Sequence, residues 1–183
     1  MKKMGIGFVA LLVFSLFVAQ VALASDVAVT SVGQSPDGMM VKVLMKKMKI
    51  TPDYDAMMKP EALTNQKVLI AVIGGSSKGL GEAGIDKNQE KERSLALINA
   101  AKKKKMKILI MHVGGEGRRG ALTDLFVEAA TPLGDRVILV KGGNLDGIFT
   151  KSKAKTAKLI EVENIQATVT PLEQAFKEWG VTR

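Results

Sequence analysis

Past residue 24, short runs rich in Val, Ile and Leu alternate with longer stretches in which apolar residues recur every three or four positions. The runs suit buried strands and the longer stretches suit amphipathic helices, so the alternation predicts a parallel sheet covered by helices on both faces. Residues 27–32 are the first expected strand. Ser35-Pro36-Asp37 then offers an N-cap with Pro at the first helical position, and Val41, Leu44, Met45 and Met48 follow at helical spacing. The run 67–73 is continuously apolar and closes on Gly74-Gly75, as expected of a strand buried on both sides. A long helix is expected over 86–105, with Leu95, Ile98 and Ala101 along one side. Strands at 107–113 and 136–140 bracket a helix at 121–130. Residues 146–158 read as a weakly amphipathic helix and 159–162 as a short last strand. Thr170-Pro171-Leu172-Glu173 carries a capping-box pattern that opens a closing helix through Trp179, with Gly180 placed to end it. Between 51 and 66, two prolines, Tyr54 and Met57-Met58 predict a long irregular crossover with room for one helical turn. Five βα units predict a three-layer, doubly wound α/β domain. Its mostly parallel five-stranded sheet is expected in the flavodoxin-like, Rossmann-like order 2-1-3-4-5.

The N-terminus follows a different rule. Lys2 and Lys3 precede an uncharged stretch over 4–24 with an apolar centre at 6–18, and the stretch ends on Ala22-Leu23-Ala24 before Ser25-Asp26. A basic start, an apolar centre and a small-residue end are the parts of a signal peptide, expected here to be cleaved after Ala24. The expectation is a periplasmic or extracellular single domain over 25–183 without stable membrane insertion after cleavage. Cleavage lowers the formal charge from +9 to +7, because it removes two lysines and no acid. The chain has no cysteine and one histidine, which excludes disulfide scaffolds, thiol chemistry, a lipid-anchoring cysteine and any metal site needing two imidazoles. No metal and no cofactor are expected. Beyond residue 24 the aromatics are Tyr54, Phe126, Phe149, Phe176 and Trp179, too few for a base-stacking surface, so nucleic acid is not an expected partner.

Ligands of open α/β sheets sit beyond the C-terminal tips of the strands. Four tip segments here are rich in glycine: residues 33–37, 74–84, 114–120 and 142–147. Glycine is common in short βα turns, but its concentration on one edge brings backbone N–H groups within reach of an anionic group. Residues 79–84 match G-x-G-x-x-G, yet the match starts several residues after the strand and Lys102 to Lys105 stand where a ribose-binding acid belongs. Arg118 and Arg119 carry more weight: two of only five arginines are adjacent in one tip loop, and a guanidinium fork suits a carboxylate or phosphate. Gln34, Ser35, Ser76, Ser77, Lys78 and Asn144 complete the expected ligand-binding set. His112, with Ser76, Ser77 and Asp146, offers an alternative catalytic set for a hydrolase, although no G-x-S-x-G elbow is present. Six methionines between 39 and 58 fit a core-facing helix stripe interleaved with lysines, and Lys102 to Lys105 fit a solvated helix end.

The segments Thr30-Ser31-Val32-Gly33-Gln34-Ser35-Pro36-Asp37 and Gly74-Gly75-Ser76-Ser77-Lys78-Gly79-Leu80-Gly81, behind a signal peptide, resemble a family of small exported bacterial proteins known only as a domain of unknown function. The resemblance implies export and one domain and assigns no catalytic residue. The expected function is an exported binding module whose tip loops hold a small anionic molecule or an acidic group of a partner. The alternatives are a Ser/His-dependent hydrolase and an accessory subunit of an envelope complex that binds an envelope protein.

Overall fold

The computed structural model describes residues 25–181, so the signal-peptide reading of 1–24 lies outside the described residues. A single six-stranded parallel sheet runs through the molecule in the order β2-β1-β3-β4-β5-β6. Its strands are β1 (Val27–Val32), β2 (Asp53–Tyr54), β3 (Val68–Ile73), β4 (Lys107–His112), β5 (Arg136–Val140) and β6 (Lys158–Val162). The helices are α1 (Asp37–Lys47), α2 (Ser77–Glu82), α3 (Lys87–Lys103), α4 (Ala121–Ala130), α5 (Ile148–Ser152) and α6 (Val169–Glu178). None of the described helices is long and apolar enough to cross a membrane.

Strand alternation divides the core into two layers. Leu69, Ala71 and Ile73 of β3 face α3, α4 and α5, where they meet Leu97, Ile98, Phe126, Val127 and Phe149. Val68, Ile70 and Val72 point the other way, toward Val41, Leu44 and Met45 of α1 and Leu172 and Phe176 of α6. The three-layer architecture is therefore the one that continuous apolar strands require.

The order 2-1-3-4-5 holds, with a sixth strand added, but its members shift. The crossover expected to be irregular contributes the edge strand Asp53–Tyr54, paired only through Ala28↔Asp53 and Val29↔Tyr54, followed by a 3₁₀ turn at Pro60–Ala62. Two residues are too few to carry a period of two. Counting this strand makes 68–73 the third strand, hydrogen-bonded to β1 along its whole length. The place where the strand order reverses is accordingly the β1/β3 gap, and the Arg118 loop, which follows β4, stands one strand away from it.

Local differences have local causes. Helix α1 starts at Asp37, with Pro36 in the capping position and Ser35 Oγ accepting the Asp37 N–H. Within the glycine segment 74–84, Ser76 Oγ caps a short helix, α2. On α3 the fully buried leucine is Leu97, and Leu95 is half-buried. The expected helix over 146–158 shrinks to five residues. The pattern at Thr170 does not cap α6, because a 3₁₀ turn at Gln166–Thr168 feeds that helix one residue earlier, whereas Gly180 (φ +67°) ends it as expected. Met45, Met48 and Met58 are buried as core residues, but Met39 and Met40 are exposed beside Val43 on the outer face of α1.

Phe126 is fully buried where α4 meets the β1 tip. Phe126→Ala is expected to lower the unfolding free energy by about 3–5 kcal/mol in urea titrations, while exposed Val43→Thr should stay within about 0.5 kcal/mol.

Candidate functional site

At the end of β1 the chain turns through two successive left-handed residues, Gly33 (φ +99°) and Gln34 (φ +59°). A Cβ on Gly33 would lie 2.6 Å from the Gly74 carbonyl oxygen, so glycine is required on steric as well as conformational grounds. The turn is stitched to the β3 tip: Ser35 N–H donates to the Gly74 carbonyl at 3.1 Å, and Ser76 N–H donates to the Gly33 carbonyl at 2.8 Å. Beneath it lies Glu90, fully buried at the start of α3. Its carboxylate accepts from Gly33 N–H (2.9 Å), Gln34 Nε2 (3.1 Å), Ser94 Oγ (3.2 Å) and two nitrogens of Arg93. Arg93 also donates to the carbonyls of Ser31 and Met58. Gln34 is thus fixed by a buried ion pair whose groups are all satisfied. Nothing in the pattern of residues signals this pair, since Glu90 and Arg93 sit in a strongly charged stretch that reads as a solvated face.

A second buried carboxylate on the same edge has the opposite character. Asp37, the first residue of α1, is fully buried, and neither of its side-chain oxygens accepts a hydrogen bond from the described residues. Its one counter-charge is Arg118, whose Nε lies 3.3 Å from Oδ1. The carboxylate occupies a slot between the tips of β3 and β4. A Cβ on Gly74 or on Gly114 would each come within 3.0 Å of Oδ2, so both glycines serve close approach. Arg118 is 38 % exposed, and its two terminal nitrogens hydrogen bond to none of the described residues.

Two depressions flank this point. One, of about 490 Å³, is lined in part by Gln34, Ser35, Ser76 and Lys78. The other, of about 270 Å³, is lined by Gly75, Ser77, Arg118, Arg119 and the first turn of α4. That turn has no side-chain cap, and Ala121 and Leu122 line the same depression as Arg118. Thr123 is committed: its hydroxyl accepts from Gly75 N–H and donates to the Arg118 carbonyl, tying the β3 and β4 tips together. Of the residues expected to bind ligand, seven, Arg119 among them, line adjoining surfaces at the tips of β1, β3 and β4, and Asn144 lines neither depression.

Arg119 and Asn144 do something else. Arg119 is mostly buried and donates to Asp124, to the Gly143 carbonyl and to both oxygens of Asp146, with Phe149 beneath its guanidinium. Asn144 Oδ1 accepts the Phe149 N–H at 3.0 Å and its Nδ2 donates to Thr150, which caps α5. These contacts lock the 142–147 loop onto α4. His112 is fully buried, with Nδ1 2.9 Å from the Ile73 carbonyl and Nε2 3.0 Å from the Gly115 carbonyl. Ser76 and Ser77 make no hydrogen bond to it, and Asp146 is taken by Arg119, so the structure does not bring the catalytic set together.

The Asp146 carboxyl is held well below the usual carboxylate range, chiefly by the Arg119 hydrogen bond and then by the Ile148 N–H. A carboxyl depressed in the folded state stabilises above its unfolded value of about 3.9, and the effect fades as pH falls toward the folded value. Arg119→Ala is expected to return the Asp146 titration to the ordinary range by carboxyl NMR. It should also destabilise the protein at neutral pH, with the two stability curves converging in acid.

A family model described as Domain of unknown function (DUF6305) matches residues 24–176, and the chain belongs to that family. No curated protein and no solved structure matches it.

Proposed function

We propose that this member of a family of unknown function is an exported, periplasmic or extracellular, α/β binding module that holds a small anionic molecule at the tips of β1, β3 and β4. One observation carries the reading: Arg118 is anchored through Nε by a buried carboxylate, and neither of its terminal nitrogens has a hydrogen-bond partner among the described residues, beside the uncapped start of α4. A guanidinium fork backed by helix N–H groups fits a carboxylate or phosphate in geometry and charge. Ser77 joins it on one side, and Ser76, Lys78, Gln34 and Ser35 extend the surface on the other. The role proposed from the adjacent arginines divides between them. Arg118 receives the ligand, and Arg119 holds the loop beside it. Catalysis plays no part in this reading.

The acidic group can also be carried by a partner protein, and one feature favours that form. Exposed Met39, Met40 and Val43 border a groove with Ile165 and Lys47, and Pro36 belongs to both this groove and the larger tip depression. An acidic, apolar segment would meet methionine and lysine there.

A thermal-shift screen with small carboxylates and phosphates tests the reading. A ligand at 100 times its Kd should add about 2.7 kcal/mol of stability. Arg118→Ala is expected to abolish the shift and also to lower the baseline melting point, because it strips the buried Asp37 of its ion-pair partner. Arg119→Ala should lower the baseline and retain the shift. Equal shifts in wild type and Arg118→Ala would overturn the assignment. N-terminal sequencing of the exported protein is expected to begin at Ser25.

A further inference from the structure

Two carboxylates are fully buried on the ligand edge, and their surroundings differ in a way that bears on the ligand. Glu90 has donors on both oxygens and a full ion pair with Arg93. Asp37 has no hydrogen-bond donor among the described residues and relies for charge compensation on the Nε side of Arg118. A buried carboxylate offers about four acceptor sites and is rarely left with none of them filled. Asp37 is therefore a polar group aimed at the place where Arg118 lies and short of donors there.

Arg118 is also the group through which an anionic ligand would bind in the reading above, and this inference rests on that reading. When a ligand's anionic group draws the guanidinium outward, Asp37 loses its one counter-charge. An uncompensated buried carboxylate is strongly unfavourable. Arg118 has a long flexible side chain that is 38 % exposed, so it is free to turn, whereas Asp37 is fixed in its slot between Gly74 and Gly114. The exchange is balanced if the ligand brings a positive donor of its own. We infer that the site takes a zwitterion: a small aminocarboxylate whose acid group engages Arg118 and whose ammonium replaces the guanidinium at Asp37. Ser35 Oγ lies at the same slot, beside Gly74, and its hydroxyl adds a neutral partner for the ammonium. A ligand with the acid group alone satisfies Arg118 and leaves Asp37 exposed to the penalty. An amine alone satisfies Asp37 and leaves the guanidinium facing it.

The test compares matched ligands on the full-length exported protein by isothermal calorimetry: each common amino acid, the carboxylic acid lacking its amino group, and the amine lacking its carboxyl group. At least one amino acid is expected to bind ten-fold or more tighter than both of its analogues. In Asp37→Asn, which keeps the shape and removes the charge, that preference should collapse to within about two-fold, with circular dichroism unchanged. If wild type binds the des-amino acid as tightly as the amino acid, the inference is overturned and the anion reading stands. If the amine binds as tightly, the inference is likewise overturned and the slot is a cation site. If no compound of the three classes binds, the inference is overturned, and the anion reading is decided by the separate screen with phosphates. The wild-type comparison needs no variant, so a poorly folding Asp37→Asn leaves the inference decidable.

Discussion

The feature on which the ligand edge turns is one buried negative charge. Asp37 begins α1 inside the protein, between the tips of β3 and β4, with neither oxygen hydrogen-bonded by any of the described residues. Taking an isolated carboxylate out of water costs several kcal/mol even after relaxation, so its neighbours must lower that cost. Two do so: the start of α1, whose dipole favours an acid in its first turn, and the Arg118 guanidinium at 3.3 Å. A side chain at Gly74 or Gly114 would collide first with Ser35 or with Arg118, and would also crowd the carboxylate. Neighbouring loops are then fixed relative to this point by Thr123, which bridges Gly75 and Arg118, and by the Ser35 contact with Gly74.

The contrast with Glu90 gives this reading its force. Both carboxylates are fully buried, both lie near the β1 tip, and each has an arginine. Glu90 and Arg93 are one helical turn apart and exhaust each other's hydrogen-bonding capacity together with Gly33, Gln34 and Ser94, which is how a structural ion pair is built. Arg119 is of the same kind, saturated by Asp124, Asp146 and the Gly143 carbonyl. Arg118 is the arginine on this edge with both terminal nitrogens to offer.

Much of this was legible in the chain, for reasons that are physical. Continuous apolar runs such as 68–73 announce a strand buried on both faces, and the glycine clusters mark the tips, where Gly33, Gly75 and Gly79 meet neighbouring backbone too closely for a side chain. What stayed hidden depended on partners distant in sequence. The edge strand Asp53–Tyr54 exists through its pairing with β1 and has no pattern of its own. Adjacent Arg118 and Arg119 look equivalent in sequence, yet one turns toward Asp37 and the other toward Asp146, partners brought to them only by the fold; spacing cannot distinguish them. His112 looked available for chemistry because it is alone, and it proves to be engaged at both ring nitrogens by carbonyls from β3 and the β4 tip.

The central claim is that Arg118, and not Arg119, exchanges an internal carboxylate for a ligand. Following the arginine Nε–H resonances by NMR during titration with a binding amino acid tests this directly. The account predicts a saturable shift of the Arg118 signal with the Arg119 and Arg93 signals unmoved. A shift at Arg119, or a bound ligand that leaves Arg118 unmoved, would contradict it.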